Sequence, residues 1–381
     1  MKICIISGTF TNMRCGVGDY TYRLSVELER LGIGLDIITS YNSEVITDGR
    51  INICPVVKKW SLLSLPLLLK SIKATKPDLI HLQYPTQAYK YRIMINVFPV
   101  FCKLMIPEIP LIVTIHDVKT AHVLNKLRLV TFLFCAKKII VSAEEEKAYL
   151  IKLFPFLKKK FELIYLGSPI EVHSPGEVRR NQIRRDLNMG ENEILACHFG
   201  YILAKKRIET VFYAVRRLLD DGYKIKLVMI SEFDPPHNRY HARLKSLAGR
   251  LNLDKQVAWT GYLDKPEVSE YMASSDICVQ IYQDGVSLRR TSFIAALEHG
   301  LPTVTTKNKD LPGGLKDRYN VMAAPVNNPG ALAAAIRELI DSEELRKNLS
   351  RNALVFAERF SWKEIASSHA RLYNRVKSDE I

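Results

Sequence analysis

The feature that most constrains this chain is a repeated alternation of short apolar runs and amphipathic stretches. Residues 2–7 predict a buried strand, and a Gly-containing loop then leads into an amphipathic helix that ends near Gly32. Further strand-like runs, separated by helical stretches, occur at 35–38, 78–82, 111–115, 138–142 and 162–165. Alternation of this kind is typical of a parallel, doubly wound sheet.

The pattern begins again after residues 166–176, whose Gly, Pro and Ser content is typical of an interdomain hinge. The second half predicts strands at 194–200, 225–231, 256–260, 277–281 and 302–306, and helices at 208–219, 329–340, 343–359 and 361–377. A chain of 381 residues is long enough for two cores. We therefore expect an α/β protein in which two Rossmann-like, doubly wound parallel-sheet domains face a central cleft.

Composition narrows the class of protein further. The seven cysteines form no paired CxxC spacing, which predicts reduced thiols and not a zinc site or a disulfide framework. The opening KICIIS run is a strand pattern and not a signal peptide, and the apolar segments are too short to span a bilayer. These features predict a cytoplasmic protein.

The net charge of +15 is concentrated in one stretch. Residues 58–138 contain thirteen Lys or Arg against three acids, a balance of +10, and the cations are interleaved with aromatic and Leu-rich segments. A basic apolar face of this kind suits an anionic membrane surface. A solubilising surface is the plainer interpretation, and nucleic acid ranks below membrane because no DNA- or RNA-binding module has a signature here.

Residues 284–304, DGVSLRRTSFIAALEHGLPTV, predict a phosphate site. Gly285 lies in a loop, a helix begins between Ser287 and Thr291, and Arg289 and Arg290 add two cations at its positive end. An ordinary amphipathic helix with a solvated Arg pair explains the same residues. Taken alone, the stretch does not separate the two interpretations.

Polar residues also lie at the predicted carboxyl ends of strands, where ligands of such sheets collect. His81, Gln83 and Tyr84 end one strand, and His116 with Asp117 ends another in the run TIHD. A neutral His or a carboxylate there suits contact with a sugar hydroxyl or a leaving group, although a packed imidazole is the usual role of a single His. Gly16 and Gly18 lie in the first strand–helix loop, but their spacing lacks the third Gly of the dinucleotide fingerprint.

Taken in order, these segments resemble the retaining GT-B glycosyltransferases of the family 4 type, also called glycosyl transferases group 1. The resemblance spans nearly the whole chain. It is carried by CGVGDY, DLIHLQYP, TIHD, VSAEEEKAYL, LGSPI, FGYILAKKR, WTGYL with SSDICV, the stretch ending in GLPTV, and SWKEIA. It implies an acceptor domain of residues 1–170, to which the helix of 361–381 returns, and a nucleotide-sugar donor domain of residues 171–360.

The resemblance also implies roles for individual residues. The catalytic candidates are His116, Asp117 and Lys206. The implied donor-binding residues are Gly16, Gly18, Tyr201, Lys205, Lys206, Tyr262, Leu263, Gly285, Val286, Ser287, Leu288, Arg289 and Arg290. The implied acceptor-binding residues are Asp19, Tyr20, Gln83 and Tyr84. No cofactor and no metal are expected beyond the nucleotide-diphosphate sugar as co-substrate, since no DxD sequence occurs.

Two departures from the family pattern concern the donor. Most relatives carry two glutamates where this chain has Ser287 and Ala295, so the chain resembles a subgroup that lacks the usual two-glutamate motif. Arg289 and Arg290 are the replacement that the resemblance suggests. Tyr201 stands where the resemblance implies an Arg, which leaves Lys205 and Lys206, together with Arg207, to neutralise the leaving diphosphate.

These features predict transfer of a sugar, with retention, from a UDP- or GDP-sugar to a lipid-linked or glycan acceptor in cell-surface glycan biosynthesis. We expect the enzyme to be metal-independent and peripheral at the inner face of the membrane. A non-catalytic partner subunit of the same fold is a second hypothesis. An epimerase, or a transferase acting on a small natural product, is a third.

Overall fold

A computed structural model describes residues 1–10, 16–41, 51–85, 89, 92–116 and 128–378. The chain divides into two compact units. The first comprises Met1–Gly167 together with Phe360–Ile381, and the second comprises Ser168–Arg359. Asp117 and Cys15 lie outside the described residues.

The first unit contains a parallel sheet that, in the described residues, has seven strands. Its strands are β1 (Lys2–Ser7), β2 (Gly34–Ser40), β3 (Ile51–Val57), β4 (Leu79–Tyr84), β5 (Leu111–Ile115), β6 (Lys138–Val141) and β7 (Phe161–Leu163), in the order β3-β2-β1-β4-β5-β6-β7. Its helices are α1 (Gly16–Arg30), α2 (Leu65–Thr75), α3 (Met94–Met105), α4 (Val130–Cys135) and α5 (Glu144–Leu153). Short 3₁₀ turns occupy Leu62–Ser64 and Pro155–Lys160.

The second unit contains a parallel sheet of six described strands. They are β8 (Ile194–Phe199), β9 (Ile225–Ile230), β10 (Val257–Trp259), β11 (Ile277–Gln280), β12 (Thr303–Lys307) and β13 (Met322–Pro325), in the order β10-β9-β8-β11-β12-β13. Its helices are α6 (Glu177–Asp186), α7 (Ile208–Asp220), α8 (Arg239–Arg250), α9 (Lys265–Ala273), α10 (Thr291–Glu298), α11 (Pro329–Asp341) and α12 (Glu343–Ala357). The 3₁₀ turn Glu358–Phe360 follows, and α13 (Trp362–Ser378) ends the described chain.

Both sheets confirm the predicted doubly wound α/β class. Their central strands are continuous apolar runs because both faces are covered: Ile3, Ile5 and Ile6 of β1 are completely buried. In each unit the first strand of the unit pairs on both sides, with β2 and β4 around β1 and with β9 and β11 around β8. The strand order therefore reverses next to β1 and next to β8.

The last helix belongs to the core of the first unit. Ile365, Leu372 and Tyr373 of α13 are buried in one cluster with Ile3 and Leu24, so α13 packs against α1 and the sheet. Gly167 is part of this packing. A side chain there would place its Cβ 2.8 Å from the indole of Trp362.

Two strands, β3 and β13, were not predicted, and both lie at an edge of their sheet. β3 contains Asn52 and Pro55, and β13 is a four-residue run with two alanines. Edge strands tolerate proline and polar residues because one side makes no ladder hydrogen bonds, so they lack the apolar run that marks the inner strands.

In the part of the chain that the structure describes, none of the helices combines the length and the apolar character that a bilayer-spanning segment requires.

Candidate functional site

Polar and charged side chains gather at the carboxyl ends of the two central strand pairs, where the strand order reverses. In open α/β sheets this position forms a crevice in which ligands bind. The second unit presents a cationic cluster there, after β8 and β11. The first unit presents a histidine network there, after β4 and β5.

The second unit's cluster is built around Lys206. After β8 the chain passes through Gly200, whose φ is +108°, and enters a 3₁₀ turn over Ala204–Lys206. A Cβ at position 200 would lie 3.0 Å from Nζ of Lys206 and 3.1 Å from Cβ of Ser292. Gly200 therefore allows the Lys206 ammonium and the start of α10 to approach the backbone at the end of β8.

Burial and neighbouring cations disfavour the charged form of Lys206. The residue is only 6% exposed, and within the described residues it forms no ion pair with a carboxylate. Burial, followed by the positive charges of Arg290 and Lys205, lowers the pKa of Lys206 to about 8. A buried cation surrounded by other cations is stabilised by an anion that replaces the lost water.

His198, inside β8, is a second buried group near this charge. Its Nδ1 lies 2.7 Å from the carbonyl of Val279, so Nδ1–H donates and Nε2 is the acceptor nitrogen. Burial, and then the nearby charge of Lys206, lowers the pKa of His198 to about 3. The imidazole is neutral at physiological pH and adds no further charge to the cluster.

Arg290 is held by an aromatic ring and a carboxylate. Its guanidinium carbon lies 4.7 Å from the centre of the Tyr282 ring, and its Nη2 lies 3.0 Å from each carboxylate oxygen of Asp284. Tyr282 is fully buried and its amide donates to Thr306, so the ring is a rigid platform. This arrangement fixes the guanidinium at the amino end of α10, close enough to Lys206 to lower the pKa of that lysine.

The helix start that the sequence places between Ser287 and Thr291 is the start of α10. The helix begins at Thr291, and Arg290 is its N-cap residue, whose side chain makes no capping hydrogen bond. Gly285 has a φ of +83°, and the Val286 amide donates to the carbonyl of Thr306, so the loop is tied to β12.

The other residues of this predicted stretch differ in exposure. Val286 and Leu288 are buried, whereas Ser287 and Arg289 are half-buried. Ala295, at one of the two positions where the family resemblance implies a glutamate in relatives, is fully buried in an apolar cluster. A carboxylate at position 295 would lack water in this structure.

Three further predicted donor residues lie at the same edge of the sheet. Tyr262 is exposed and Leu263 is half-buried, both following β10, while Tyr201 is exposed after β8. Lys205 is exposed, and its carbonyl accepts from the amide of Gln283, which joins the two loops.

The same edge also contains an aromatic stack that the sequence reasoning missed. The rings of Phe233 and Trp259 lie parallel, with their centres 3.6 Å apart. Trp259 begins the WTGYL run, in which only Tyr262 and Leu263 were predicted to bind the donor.

In the first unit, His116 is the predicted catalytic residue that the structure describes. Its Nε2 lies 2.8 Å from Oε1 of Gln83, and its amide donates to the carbonyl of Tyr84. The Gln83 amide nitrogen lies 3.2 Å from Nε2 of His81. This orientation of the amide directs its carbonyl oxygen at His116, which assigns the proton to Nε2 of His116.

The network continues from His81 to the last helix. Nδ1 of His81 lies 2.6 Å from the hydroxyl of Tyr373, and its Nε2 lies 2.7 Å from Oγ1 of Thr114. Burial, and then His369 and His116, lower the pKa of His81 well below its usual value, and burial lowers that of His369 to about 4. Both imidazoles are therefore neutral. Through His81 and Gln83, hydrogen bonds connect Tyr373 of α13 to His116.

The predicted acceptor residues are mostly inside the unit. Gln83, Tyr84 and Tyr20 are buried; the hydroxyl of Tyr20 lies 3.4 Å from Nε2 of His369, and its ring packs edge-on against His116 at 5.2 Å. The hydroxyl of Tyr84 accepts from Asn96, and its ring packs on Phe132. Three of the four residues thus support the site from within, and their contact with an acceptor stays a prediction.

Gly16, Gly18 and Asp19 lie in the first turn of α1. Gly16 is exposed, Gly18 is buried against the backbone of Phe10, and Asp19 is half-buried. Their donor and acceptor contacts remain predictions.

The described residues contain no group of three His, Cys, Asp or Glu side chains placed to hold a metal ion. The expected independence from metals remains a prediction.

Comparisons with known proteins agree with this architecture. The family described as glycosyl transferases group 1 matches residues 179–355, and the family described as glycosyltransferase family 4 matches residues 15–172. The D-inositol 3-phosphate glycosyltransferase of Corynebacterium efficiens is 23% identical over 248 residues, covering 64% of this chain and 58% of that protein. An uncharacterized glycosyltransferase of Methanocaldococcus jannaschii is 27% identical over 221 residues, covering 57% of this chain and 53% of that protein. The matched stretch spans just over half the length of these curated relatives.

Solved structures resemble the chain over nearly its full length. A glycosyltransferase from Rickettsia africae superposes with a TM-score of 0.76 at 16% identity, covering 98% of each chain. The Anabaena HepE protein, solved with UDP and glucose, superposes with a TM-score of 0.72 at 17% identity, covering 98% of this chain and 100% of that one. At such identities the likeness shows the fold alone.

The two doubly wound units, together with these structural neighbours, define a protein of the GT-B fold class. The two family matches together extend over most of its length. The chain belongs to the group 1 glycosyltransferases of the family 4 type.

Proposed function

We propose that this glycosyltransferase moves a sugar, with retention of configuration, from a UDP- or GDP-sugar to a lipid-linked or glycan acceptor in cell-surface glycan biosynthesis. The observation that carries the proposal is the buried Lys206 ammonium beside Arg290 at the strand-order reversal of the second unit. Such a cationic crevice suits the diphosphate of a nucleotide sugar. The structural neighbour that was solved with UDP-glucose supports a donor of this class.

Lys206 and Arg290 have a chemical task in this reaction. As the bond between the sugar and the donor phosphate breaks, negative charge develops on the leaving diphosphate. Fixed cations in a partly dry site stabilise that charge without reorganising. In our proposal the acceptor hydroxyl loses its proton to the leaving phosphate oxygen as its own oxygen bonds to the sugar, so the step needs no protein nucleophile and no metal.

We assign the acceptor to the first unit and the donor to the second, following the family resemblance. His116, whose ring is fixed by Gln83, is the residue that we place beside the transferred sugar. We further propose that the enzyme acts on the cytoplasmic side of a membrane, where lipid-linked intermediates are made.

Release of nucleoside diphosphate tests the proposal. The full chain is incubated with UDP-sugars and GDP-sugars, with and without lipid-linked and glycan acceptors, in the presence of a metal chelator. We expect release that is lost in Lys206→Ala and retained in Lys255→Ala, an unrelated surface substitution. A complete absence of turnover and of nucleotide binding across this panel would overturn the proposal.

A non-catalytic partner subunit remains the second candidate because of Ser287 and the buried Ala295 at the two glutamate positions. It predicts nucleotide binding without turnover. Thermal-shift measurements with UDP, GDP, ADP and TDP separate the two candidates when they are read beside the turnover assay.

A further inference from the structure

One face of the first unit carries long apolar side chains that the core does not use. The 3₁₀ turn Leu62–Ser64 leads into α2, and α3 lies beside α2. Leu63 is 92% exposed and Leu104 is 71% exposed. The other exposed apolar side chains of this face are Leu62, Leu67, Ile93, Phe101 and Met105.

The two helices are firmly attached through their opposite sides. Leu65, Leu68 and Ile72 of α2 are buried in the same cluster as Phe98 and Cys102 of α3. The exposed apolar side chains of α2 and α3 therefore lie on helices that are fixed to the core. Between the two helices lies a groove of about 410 Å³, lined by Leu65, Pro66, Leu69, Lys70, Lys73, Phe101 and Met105.

The charge on this face has a single sign. Residues 51–76 and 92–106 contain seven cations and no Asp or Glu. The cations are Lys58, Lys59, Lys70, Lys73, Lys76, Arg92 and Lys103, all exposed. Lys70 and Lys73 lie on the wall of the groove, next to its apolar floor.

We infer that the α2–α3 face docks on a bilayer that contains anionic lipid. Leu63 and Leu104, with their apolar neighbours, enter the boundary between headgroups and acyl chains. Lys70, Lys73 and Lys103 contact the lipid phosphates. An apolar row bordered by lysines has both components that interfacial binding requires, area that leaves water and attraction to a negative surface.

The charge also decides against a second copy of this chain as the occupant. The chain has a net charge of +15, and self-association through this face would bring two sets of these cations together without an acid in either helix pair. A bilayer with anionic headgroups neutralises the same cations and accepts the apolar side chains at once.

Vesicle co-sedimentation of the full chain tests the inference. Wild-type protein is mixed with phosphatidylcholine vesicles that contain or lack phosphatidylglycerol. The test variants are Leu63→Glu with Leu104→Glu, and Lys70→Gln with Lys73→Gln. The matched control, Val178→Glu with Val355→Glu, alters residues of the second unit that are 82% and 64% exposed. All the altered side chains are exposed, and circular dichroism melting verifies that each variant folds.

We expect the wild type and the control to bind the anionic vesicles and to release them at high salt. The leucine variant loses at least about tenfold in partitioning because two apolar side chains become charged. The lysine variant binds more weakly and with a smaller dependence on salt.

Several results would overturn the inference. They are equal binding to neutral and anionic vesicles, vesicle binding by the leucine variant that matches the wild type, and no binding at all. Dimerisation that Leu63→Glu with Leu104→Glu abolishes would assign the face to a second copy instead. The assay contains no nucleotide and no acceptor, so its failure is distinct from a failure of the proposed sugar transfer.

Discussion

The Nε2 atom of His116 lies 2.8 Å from Oε1 of Gln83, and the amide nitrogen of the same glutamine lies 3.2 Å from His81. Gln83 is fully buried between the two imidazoles. Gln83 therefore acts as a positioning residue. If its side-chain amide rotated by 180°, its NH₂ group would face the N–H of His116, and the hydrogen bond would be lost.

The first prediction concerns this amide. Gln83→Leu removes the acceptor for Nε2–H of His116, and we expect kcat to fall about tenfold or more because the imidazole loses its fixed tautomer. Gln83→Glu is expected to favour the imidazolium form through its carboxylate and so to move the pH–rate profile to higher pH. The measurement is kcat and KM as a function of pH.

Tyr373→Phe is the control for this prediction. It removes a hydroxyl that touches His81 but not His116, and it is expected to lower the free energy of unfolding by about 1–3 kcal/mol through an unsatisfied buried donor. An unchanged pH profile in Gln83→Glu, together with an unchanged kcat in Gln83→Leu, would contradict the positioning role.

The second prediction is that Lys206→Met stabilises the free protein while it removes nucleotide binding. The pKa of Lys206 falls from 10.5 to about 8 on folding. Below pH 8 the folded state therefore bears the cost of a buried charge, up to about 3 kcal/mol, and methionine avoids that cost.

Urea unfolding as a function of pH checks the direction in which the free energy of unfolding changes with pH. Between about pH 8 and pH 10.5 the unfolded wild type binds more protons than the folded one, so its stability rises with pH. In Lys206→Met this rise disappears, whereas Lys205→Met, at an exposed position, retains it. A less stable Lys206→Met at neutral pH would show that the ammonium is not a source of strain.

The third prediction is proton uptake on binding of a nucleoside diphosphate. The anion favours the ammonium form of Lys206 and raises its pKa, so affinity falls as pH rises through about 8. Calorimetry above pH 8, in two buffers with different ionisation enthalpies, reports the proton directly. Binding without a proton change there, in a protein that does bind the nucleotide, would exclude Lys206 from the diphosphate contact.

The fourth prediction separates backbone strain from crowding by Lys206 and Ser292. Gly200→Ala adds a Cβ 3.0 Å from Nζ of Lys206 at a φ of +108°, and we expect a loss of about 2–4 kcal/mol in unfolding free energy and weaker nucleotide binding. Gly222→Ala, at a φ of +85° with nothing within 4 Å of the added Cβ, is expected to cost about 1–2 kcal/mol. Equal costs at the two positions would show that crowding by Lys206 and Ser292 is unimportant.

The sequence predicted the elements whose signal is local. The inner strands are apolar runs because both faces are covered, and the predicted run 111–115 coincides with β5. The amphipathic run 208–219 differs from α7 by one residue. The edge strands β3 and β13 were not predicted. An edge strand pairs on one side only and therefore tolerates Pro55 and alanine, so it lacks a continuous apolar run.

For the candidate site, the sequence supplied the residue types and their order along the chain. Lys206 and Arg290 were named from their segments, but their mutual influence depends on β8 and β11 being neighbours. The resemblance placed Gln83 among the acceptor-binding residues, but its position at a strand end does not show that its side chain contacts two imidazoles.

The sequence by itself therefore determined two parallel α/β units and their family, because periodicity and motif order are properties of the chain. The tertiary structure alone decided which charges and rings meet. Tyr373 reaches His81 across 292 positions, and Lys206 meets the start of α10 beside Gly200, because strand order and helix packing bring distant segments together. No local pattern encodes such a contact, since its energy depends on burial and on partners that lie far away in the chain.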